Sequence, residues 1–514
     1  MFSRKIRLLN KTVYLELSET PYYELENCLI FGFPINLEDA FFNLDNEILG
    51  NKLKGYWLKI DFADDKITIT NDILGGYRLY YYVVTNKIYV SDNHLKILEK
   101  LECSAITKNK IEYDFWLKHR YTTGKSTFIE GLNKLNPASI LEILDYDIYE
   151  KTYFKDISRK PNAINHKNEV HKDLLKTFSE IKELKNKVIL LFSGGKDSCL
   201  LLQYLLYYKI PFVPVFLKLN PISKLGLNDI KRVRAVAKEL GLDLDEIEIK
   251  LSDISKKQKE DIVKNQIFDR HFSLLHFMGG KAIREKYGEE CLVINGQSSD
   301  SILSFGPSEN STMSYLRRHI MYRPRTIISK IGLLLLILKT KKKFRLPKNK
   351  TELLFALFDE FKYTRVLDNN ASPEYVNYIN NYIDSKTRKL KSFYSKEMYV
   401  KILSFCQGSD NHVVVNSSKI NNLLTIMPFA TPNIIYKTIE LKDENLEIKQ
   451  PKYVIEQILE KEFSFYYNNL KLKEVDVSDI LLDINSKTQD IMDEKFIESV
   501  KNKFFNHLNS KALF

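Results

Sequence analysis

The run Ser193-Gly194-Gly195-Lys196-Asp197-Ser198 has the residue types of a phosphate cradle. Two adjacent glycines let a backbone turn with its N–H groups exposed, and serine hydroxyls add donors. An aspartate beside them can hold Mg2+ against phosphate oxygens, and Lys196 adds positive charge. The run lies directly between the apolar Val188-Ile189-Leu190-Leu191-Phe192 and a helical pattern from Cys199 to Tyr208, whose positive end faces the same spot. It is not a Walker A loop, because G-x-x-x-x-G-K-[ST] is absent, nor a dinucleotide fingerprint, because G-x-G-x-x-G is absent. A second apolar run, Cys291-Leu292-Val293-Ile294, opens into Asn295-Gly296-Gln297-Ser298-Ser299-Asp300-Ser301. Asp300 then stands at the same sheet edge as Asp197, and Mg2+ on phosphates usually takes one or two carboxylates. A Gly-rich turn and a solvated loop aspartate would explain each motif alone; the pair points to Mg2+ and a nucleotide.

The elements that must position these loops follow from the apolar pattern. Runs at 188–192, 212–219, 244–249 and 291–294 alternate with helical stretches at 199–208 and 229–240, and a helical stretch beginning at Glu169 leads into the first of them. Continuous apolar strands separated by helices predict a doubly wound α/β domain with ligands at the carboxyl ends of its strands. Residues 1–156 differ: short period-two runs at 12–17, 28–31, 56–61, 66–70, 79–84 and 87–91 predict a strand-rich domain. The polar stretch 157–168 has no apolar period and is the expected linker, leaving 169–514 as the second domain, mostly helical beyond its sheet.

Composition agrees with two globular domains in 514 residues. Lysine and arginine (78) less aspartate and glutamate (66) give +12, and 44% hydrophobic with 28% charged residues excludes disorder as a description of the whole. Cys28, Cys103, Cys199, Cys291 and Cys406 are at least 75 positions apart, which argues against a disulfide framework or a cysteine zinc site and for a reducing compartment. Met1 to Lys5 run into alternating residues instead of an apolar core, so a cytosolic protein is expected. His271 and His276, without H-E-x-x-H, are read as packed or surface residues. The run Ile331 to Leu338 lies among cations between Arg323 and Arg345. Eight residues are too few to span a bilayer, which takes about 20. A buried core helix explains it, and so does an interfacial helix giving peripheral contact with the inner face of the membrane through 323–345. Nucleic-acid binding is not expected, because only 317–345 combines aromatic and basic residues.

With these motifs in hand, the sequence resembles the asparagine synthetase family, which includes the β-lactam synthetases and lasso-peptide cyclases. SGGKDS looks like the pyrophosphatase (PP-loop) signature. Asp72-Ile73-Leu74-Gly75, running on to Leu79-Tyr80-Tyr81, resembles the family's D-x-x-G to L-Y-Y; Tyr89-Val90-Ser91-Asp92 stands at its F-A-S-E. Phe128 to Pro137 resembles T-L-x-x-G-I-x-x-L-x-P-G, with Ala138 for the last glycine. Met427-Pro428-Phe429 looks like V-P-F-L-D, and Lys452-Tyr453-Val454-Ile455 like K-x-I-L-R. The resemblance implies an N-terminal α+β glutaminase-like (Ntn-type) β-rich sandwich and a C-terminal ATP-pyrophosphatase domain. It places adenine against the backbone near Phe216, Leu217 and Lys218, assigns Ser193, Gly194, Gly195, Ser198 and Gly296 to ATP, and Asp197 and Asp300 to Mg2+. It also implies an active-site lysine about 20 residues after K-x-I-L-R, where Lys471 and Lys473 fall, Lys473 being the expected one.

Departures from the pattern narrow the function. Glutamine-using members carry a nucleophilic cysteine as their second residue; here it is Phe2. The first domain is therefore expected to be a degenerate amidotransferase-like module for structure or docking. The positions of the Tyr–Glu base pair of β-lactam-forming relatives hold Gln297 and Leu424, neither a base. The expected activity is ATP-dependent amide formation through an acyl-adenylate, as in macrolactam closure of a ribosomal peptide by lasso cyclases. A small-molecule, sugar or peptide carboxylate is the substrate class, with a separate substrate-delivery protein as a possible partner. Amidation of a carboxylated sugar in surface-polysaccharide synthesis, a PP-loop RNA-modifying enzyme, and a non-catalytic degenerate synthetase are the alternatives.

Overall fold

The computed structural model describes residues 1–19, 21–37, 45–101, 106–119, 121–155, 166–220, 224–266, 268, 274–303, 327, 330–331, 334, 344–345, 347–359, 367–368, 372–408, 410–441, 452–467, 499, 502–503 and 506. The first half holds β1 (Phe2–Arg7), β2 (Thr12–Leu17), β3 (Tyr23–Leu25), β4 (Cys28–Pro34), β5 (Gly55–Phe62), β6 (Lys66–Asn71), β7 (Tyr80–Val84), β8 (Lys87–Ser91), β9 (Asn133–Lys134), β10 (Ser139–Leu144) and β11 (Ile148–Thr152). They form two sheets, ordered β1-β2-β8-β7-β9 and β11-β10-β6-β5-β4-β3. Alternation along β2 turns Val13, Leu15 and Leu17 inward, where they join Leu58 and Ile60 of β5 and Ile140 of β10 in one core. The D-x-x-G motif closes a turn beside it. Asp72 accepts backbone N–H bonds from Leu74 (3.0 Å), Gly76 (2.9 Å) and Tyr77 (2.9 Å), which only a short acceptor side chain at that position can do.

The second half holds α1 (His166–Glu183), β12 (Val188–Leu191), α2 (Lys196–Tyr207), β13 (Phe212–Asn220), α3 (Lys224–Glu239), β14 (Asp245–Lys250), α4 (Leu274–Tyr287) and β15 (Leu292–Ile294). A small pair, β16 (Phe344–Arg345) and β17 (Leu367–Asp368), is followed by α5 (Asp410–Ile420), β18 (Leu424–Ile426), α6 (Pro432–Ile439) and α7 (Tyr453–Phe463). Five of these strands form one sheet in the order β14-β13-β12-β15-β18, with every neighbouring pair parallel. Both faces are covered, which explains the unbroken apolar runs. Val188, Leu190, Leu292 and Ile294 pack with residues of α1, α2, α6 and α7, while Ile189, Val215 and Val293 pack with Ile283 of α4. The chain leaves β12 toward β13 on one side and returns to β15 on the other, so the order of strands reverses between β12 and β15. That is the topological switch point at which such sheets bind ligands.

The halves share a core. Phe154 stacks on Tyr399 with ring centroids 4.3 Å apart, and Lys54 Nζ bonds Glu180 Oε2 and Thr177 Oγ1, each at 2.9 Å. Most of the expected linker, 157–165, lies outside the described residues, as do His271, Lys471 and Lys473 and most of 317–345. No helix among the described residues is long and apolar enough to cross a membrane. Two members of the apolar run are described, Ile331 and Leu334; both are helical and exposed, at 50% and 57%. Leu334→Glu is accordingly expected to shift stability by no more than about 0.5 kcal/mol. Scanning calorimetry checks this, and a midpoint collapse would return the position to the core.

Candidate active site at the switch point

Helix α2 begins at Lys196, three residues before the apolar pattern that announced it, so Lys196, Asp197 and Ser198 form its first turn. Gly195 is the N-cap and supplies no side-chain bond, which leaves the helix's leading N–H groups to an incoming anion. Gly194 has φ of +67°, and a Cβ there would come within 2.9 Å of Val233 Cα in α3. The loop is braced from several sides. Ser198 Oγ donates to the Gly195 carbonyl (3.0 Å), the Gly195 N–H to Ser193 Oγ (3.3 Å), and the Tyr467 hydroxyl to the Gly194 carbonyl (2.7 Å). A contrast between two glycines tests the packing. Gly241 also has positive φ, +61°, but nothing within 4 Å of its Cβ position. Gly194→Ala should therefore cost more than Gly241→Ala by about 1 kcal/mol or more, read as the difference in calorimetric midpoint.

The second loop leaves β15 through Asn295, whose N–H bonds the Ile426 carbonyl of β18 at 3.0 Å. Ser298 follows in the left-handed region, φ 72°, and its hydroxyl donates to Asn411 of α5; a short helix, Ser299–Ile302, carries Asp300. Gly296 lies against the first loop: a Cβ there would sit 3.4 Å from Asp197 Cβ. The two loops thus bring Asp197 and Asp300 together, as the sequence predicts.

Between the carboxylates stands a lysine to which the sequence reading gives no role. Lys452 Nζ pairs with Asp197 Oδ2, lies 2.6 Å from Asp300 Oδ1 and 3.4 Å from Ser299 Oγ. Burial works against its charge, yet Asp197 and Asp300 together hold the ammonium above its ordinary pKa. Asp197 also lies above the usual carboxylate range, because burial outweighs Lys452 and Asp300 repels. Lys452 is the N-cap of α7 with φ 62°, a conformation that costs a β-carbon residue of order 1 kcal/mol and is typical of sites where position matters more than stability. A second pair, Lys196 with Glu456 in the first turn of α7, ties the same helix to the phosphate loop. The signal for Lys452 was present in the K-x-I-L-R resemblance, but not its partners.

A hard cation fits this site. Asp197 Oδ1 is buried and has no hydrogen-bond partner, and the two carboxylates converge on a cation already. Asp197 and Asp300 are the residues that would hold Mg2+ with a nucleotide. No cluster of three or more His, Cys, Asp or Glu suited to a resident metal occurs among the described residues. The expected adenine segment lies just past the end of the β12 ladder. β12 ends opposite Val215, so from Phe216 through Leu217 and Lys218 the described ladder of β13 runs to β14 only. Gln297 follows β15, and Leu424 lies in β18 as an apolar strand residue.

No protein-family model matches the chain, and no curated protein does. Among solved structures, the NH3-dependent NAD synthetase from Campylobacter jejuni subsp. jejuni NCTC 11168, in complex with the nitrate ion, is similar at 17% identity. That match covers 45% of this chain and 98% of that one, with a TM-score of 0.21. A structure titled as the allosteric regulatory enzyme of purine biosynthesis is similar at 14% identity, over 41% of this chain and 44% of that one, with a TM-score of 0.14. Likeness at these scores carries no argument, so the assignment of the site rests on the strand order and on the residues brought to the switch point.

Proposed function

We propose that the chain is an AMP-forming carbon–nitrogen ligase that adenylates a carboxylate and joins it to an amine. The observation that carries the reading is the convergence of Asp197 and Asp300, from the ends of β12 and β15, on one cation beside an uncapped helix N-terminus. Mg2+-ATP, when bound, supplies an electrophilic α-phosphorus with pyrophosphate as its leaving group. The residues of the chain act around it. The first-turn N–H groups of α2 with the Ser193 and Ser198 hydroxyls bind phosphate oxygens, and Lys196 adds positive charge. Lys452 sits where a fixed ammonium can offset charge on the departing pyrophosphate. A substrate carboxylate oxygen attacks the α-phosphorus and the bond to pyrophosphate breaks; the amine nitrogen then attacks the acyl carbon, AMP leaves, and the nitrogen gives up a proton to solvent.

For the substrate we take a peptide carboxylate closed to a macrolactam by an amine of the same peptide. Resemblance to the lasso cyclases supports this, as does Phe2, whose ring meets Phe31 edge-on at 5.4 Å and offers no nucleophile for glutamine. The test is the nucleotide product. With ATP, Mg2+ and a pool of peptides, uronic acids and amines, chromatography should show AMP and pyrophosphate; ADP as sole nucleotide product would sink the assignment.

A further inference from the structure

We propose that the start of α7 holds the place of a metal–polyphosphate complex, Lys452 standing where the cation goes and Glu456 where a phosphate goes, so that the site accepts the complex and discriminates against either part alone. The inference deepens the proposed reading of the switch point as a Mg2+-nucleotide site and rests on it.

Lys452 and Glu456 are four residues apart, which sets them on one face of α7 about 6 Å apart along its axis. Their partners are neighbours in sequence, since Lys196 and Asp197 open α2. Lys452 bridges Asp197 and Asp300, and Glu456 pairs with Lys196. The signs are those of the ligand: the carboxylates that would hold a metal carry an ammonium, and the ammonium that would hold a phosphate carries a carboxylate. The motif K-x-I-L-R, which this stretch resembles, ends in arginine at the position of Glu456, where this chain has the opposite charge.

The backbone beneath the two side chains is fixed. The Glu456 N–H bonds the Lys452 carbonyl at 2.9 Å, and Val454, Ile455, Ile458 and Leu459 bury the inner face of the helix. Exchange therefore falls to the side chains while α7 stays in place. Those of Lys196 and Glu456 are 25% and 28% exposed, and an ion pair so open to water contributes little and gives way to a stronger partner.

Charge decides what enters. A metal ion alone would push the Lys452 ammonium aside with no anion to receive it, and a polyphosphate alone would face the carboxylates of Asp197, Asp300 and Glu456. With both present, Asp197 and Asp300 take the metal, Lys196 and the displaced Lys452 take phosphate oxygens, and Glu456 turns to water. Asp197 Oδ1, buried and without a hydrogen-bond partner, is an acceptor that Lys452 leaves unused and a metal would occupy.

Binding measurements on the full chain test the device without turnover. Mn2+ alone is followed by the electron paramagnetic resonance of the free ion, tripolyphosphate alone by calorimetry with a chelator present, and the two together by calorimetry. The wild type should bind the complex about tenfold or more tighter than either part. Glu456→Gln should tighten tripolyphosphate alone about fivefold or more and leave Mn2+ alone unchanged. Glu460→Gln, which removes the same charge one turn further along α7, should do neither. Lys452→Gln should tighten Mn2+ alone about tenfold or more without tightening tripolyphosphate. Because Lys452→Gln leaves two carboxylates facing each other, circular dichroism checks its fold, and Glu456→Gln decides the matter if it does not fold. The proposal is overturned by a wild type that binds either part as tightly as the complex or binds none of them. It is overturned equally if tripolyphosphate affinity does not rise in Glu456→Gln or rises as much in Glu460→Gln, or if Mn2+ affinity is unchanged in folded Lys452→Gln. AMP formation with affinities that do not move removes the device and keeps the ligase; affinities that move as stated, without AMP formation, keep the device and remove the ligase.

Discussion

On the proposed ligase reading, Asp197→Asn and Asp300→Asn should each reduce AMP formation by about a thousandfold or more, because each removes charge at the point where the chain would hold the metal of a nucleotide, worth several kcal/mol of barrier. The two variants should differ in stability. Asp197 Oδ1 is buried without a hydrogen-bond partner, so an asparagine amide turned into that position would be a buried donor in need of an acceptor, at a cost of about 1–3 kcal/mol. Asp300 is 58% exposed and its replacement should leave the calorimetric midpoint nearly unchanged. Wild-type turnover in Asp300→Asn would remove it from the site whatever its distance to Lys452. The pH profile gives a second readout. Since burial and Asp300 hold the Asp197 carboxyl above its ordinary value in the nucleotide-free protein, kcat/KM should fall on the acid side at a higher pH than a surface aspartate would dictate.

The parts of this site that sequence reveals are those whose signal is local. The phosphate loop follows an apolar run and contains two glycines, one of them with φ +67° and no room for a Cβ, so its residue types report its shape directly. The start of α2 was less legible: Lys196-Asp197-Ser198 reads as loop because a helix end that faces an anion is polar. β18, only Leu424–Ile426, is too short to show a period, and the sequence does not set β10 and β11 apart from the loops around them. Lys452 is the clearest omission. Its partner Asp197 is 255 residues away, and no window of sequence shows which lysine, among so many, folds back between two carboxylates. The sharing of one core by the two halves is of the same kind, since Phe154, Tyr399 and Tyr436 become neighbours only through the fold.

One long-range pair allows a larger stability prediction. Lys419 of α5 reaches Asp92 at the end of β8 at 3.0 Å, with side chains only 9% and 1% exposed, and lies 3.7 Å from the centroid of Tyr77. Burial alone would raise the Asp92 carboxyl; Lys419 and Ser18 overcome it and hold the group below its ordinary value. Lys419→Met leaves that charge buried without its ammonium, and should destabilise the protein by about 3–5 kcal/mol. Asp92→Asn combined with Lys419→Met should recover most of the loss, because no uncompensated charge remains, and calorimetric midpoints of the four proteins make the cycle. The pH dependence has a definite sign. In the wild type the contribution of Asp92 is present above its unfolded pKa, about 3.9, and is lost as pH falls through the lowered folded value. In Lys419→Met the aspartate takes up a proton more readily when folded than when unfolded, so acid stabilises the variant relative to the wild type. The gap between the two midpoints should narrow as pH is lowered; a gap that stays constant down to pH 4 would mean that Lys419 acts through its contact with Tyr77 and not through Asp92.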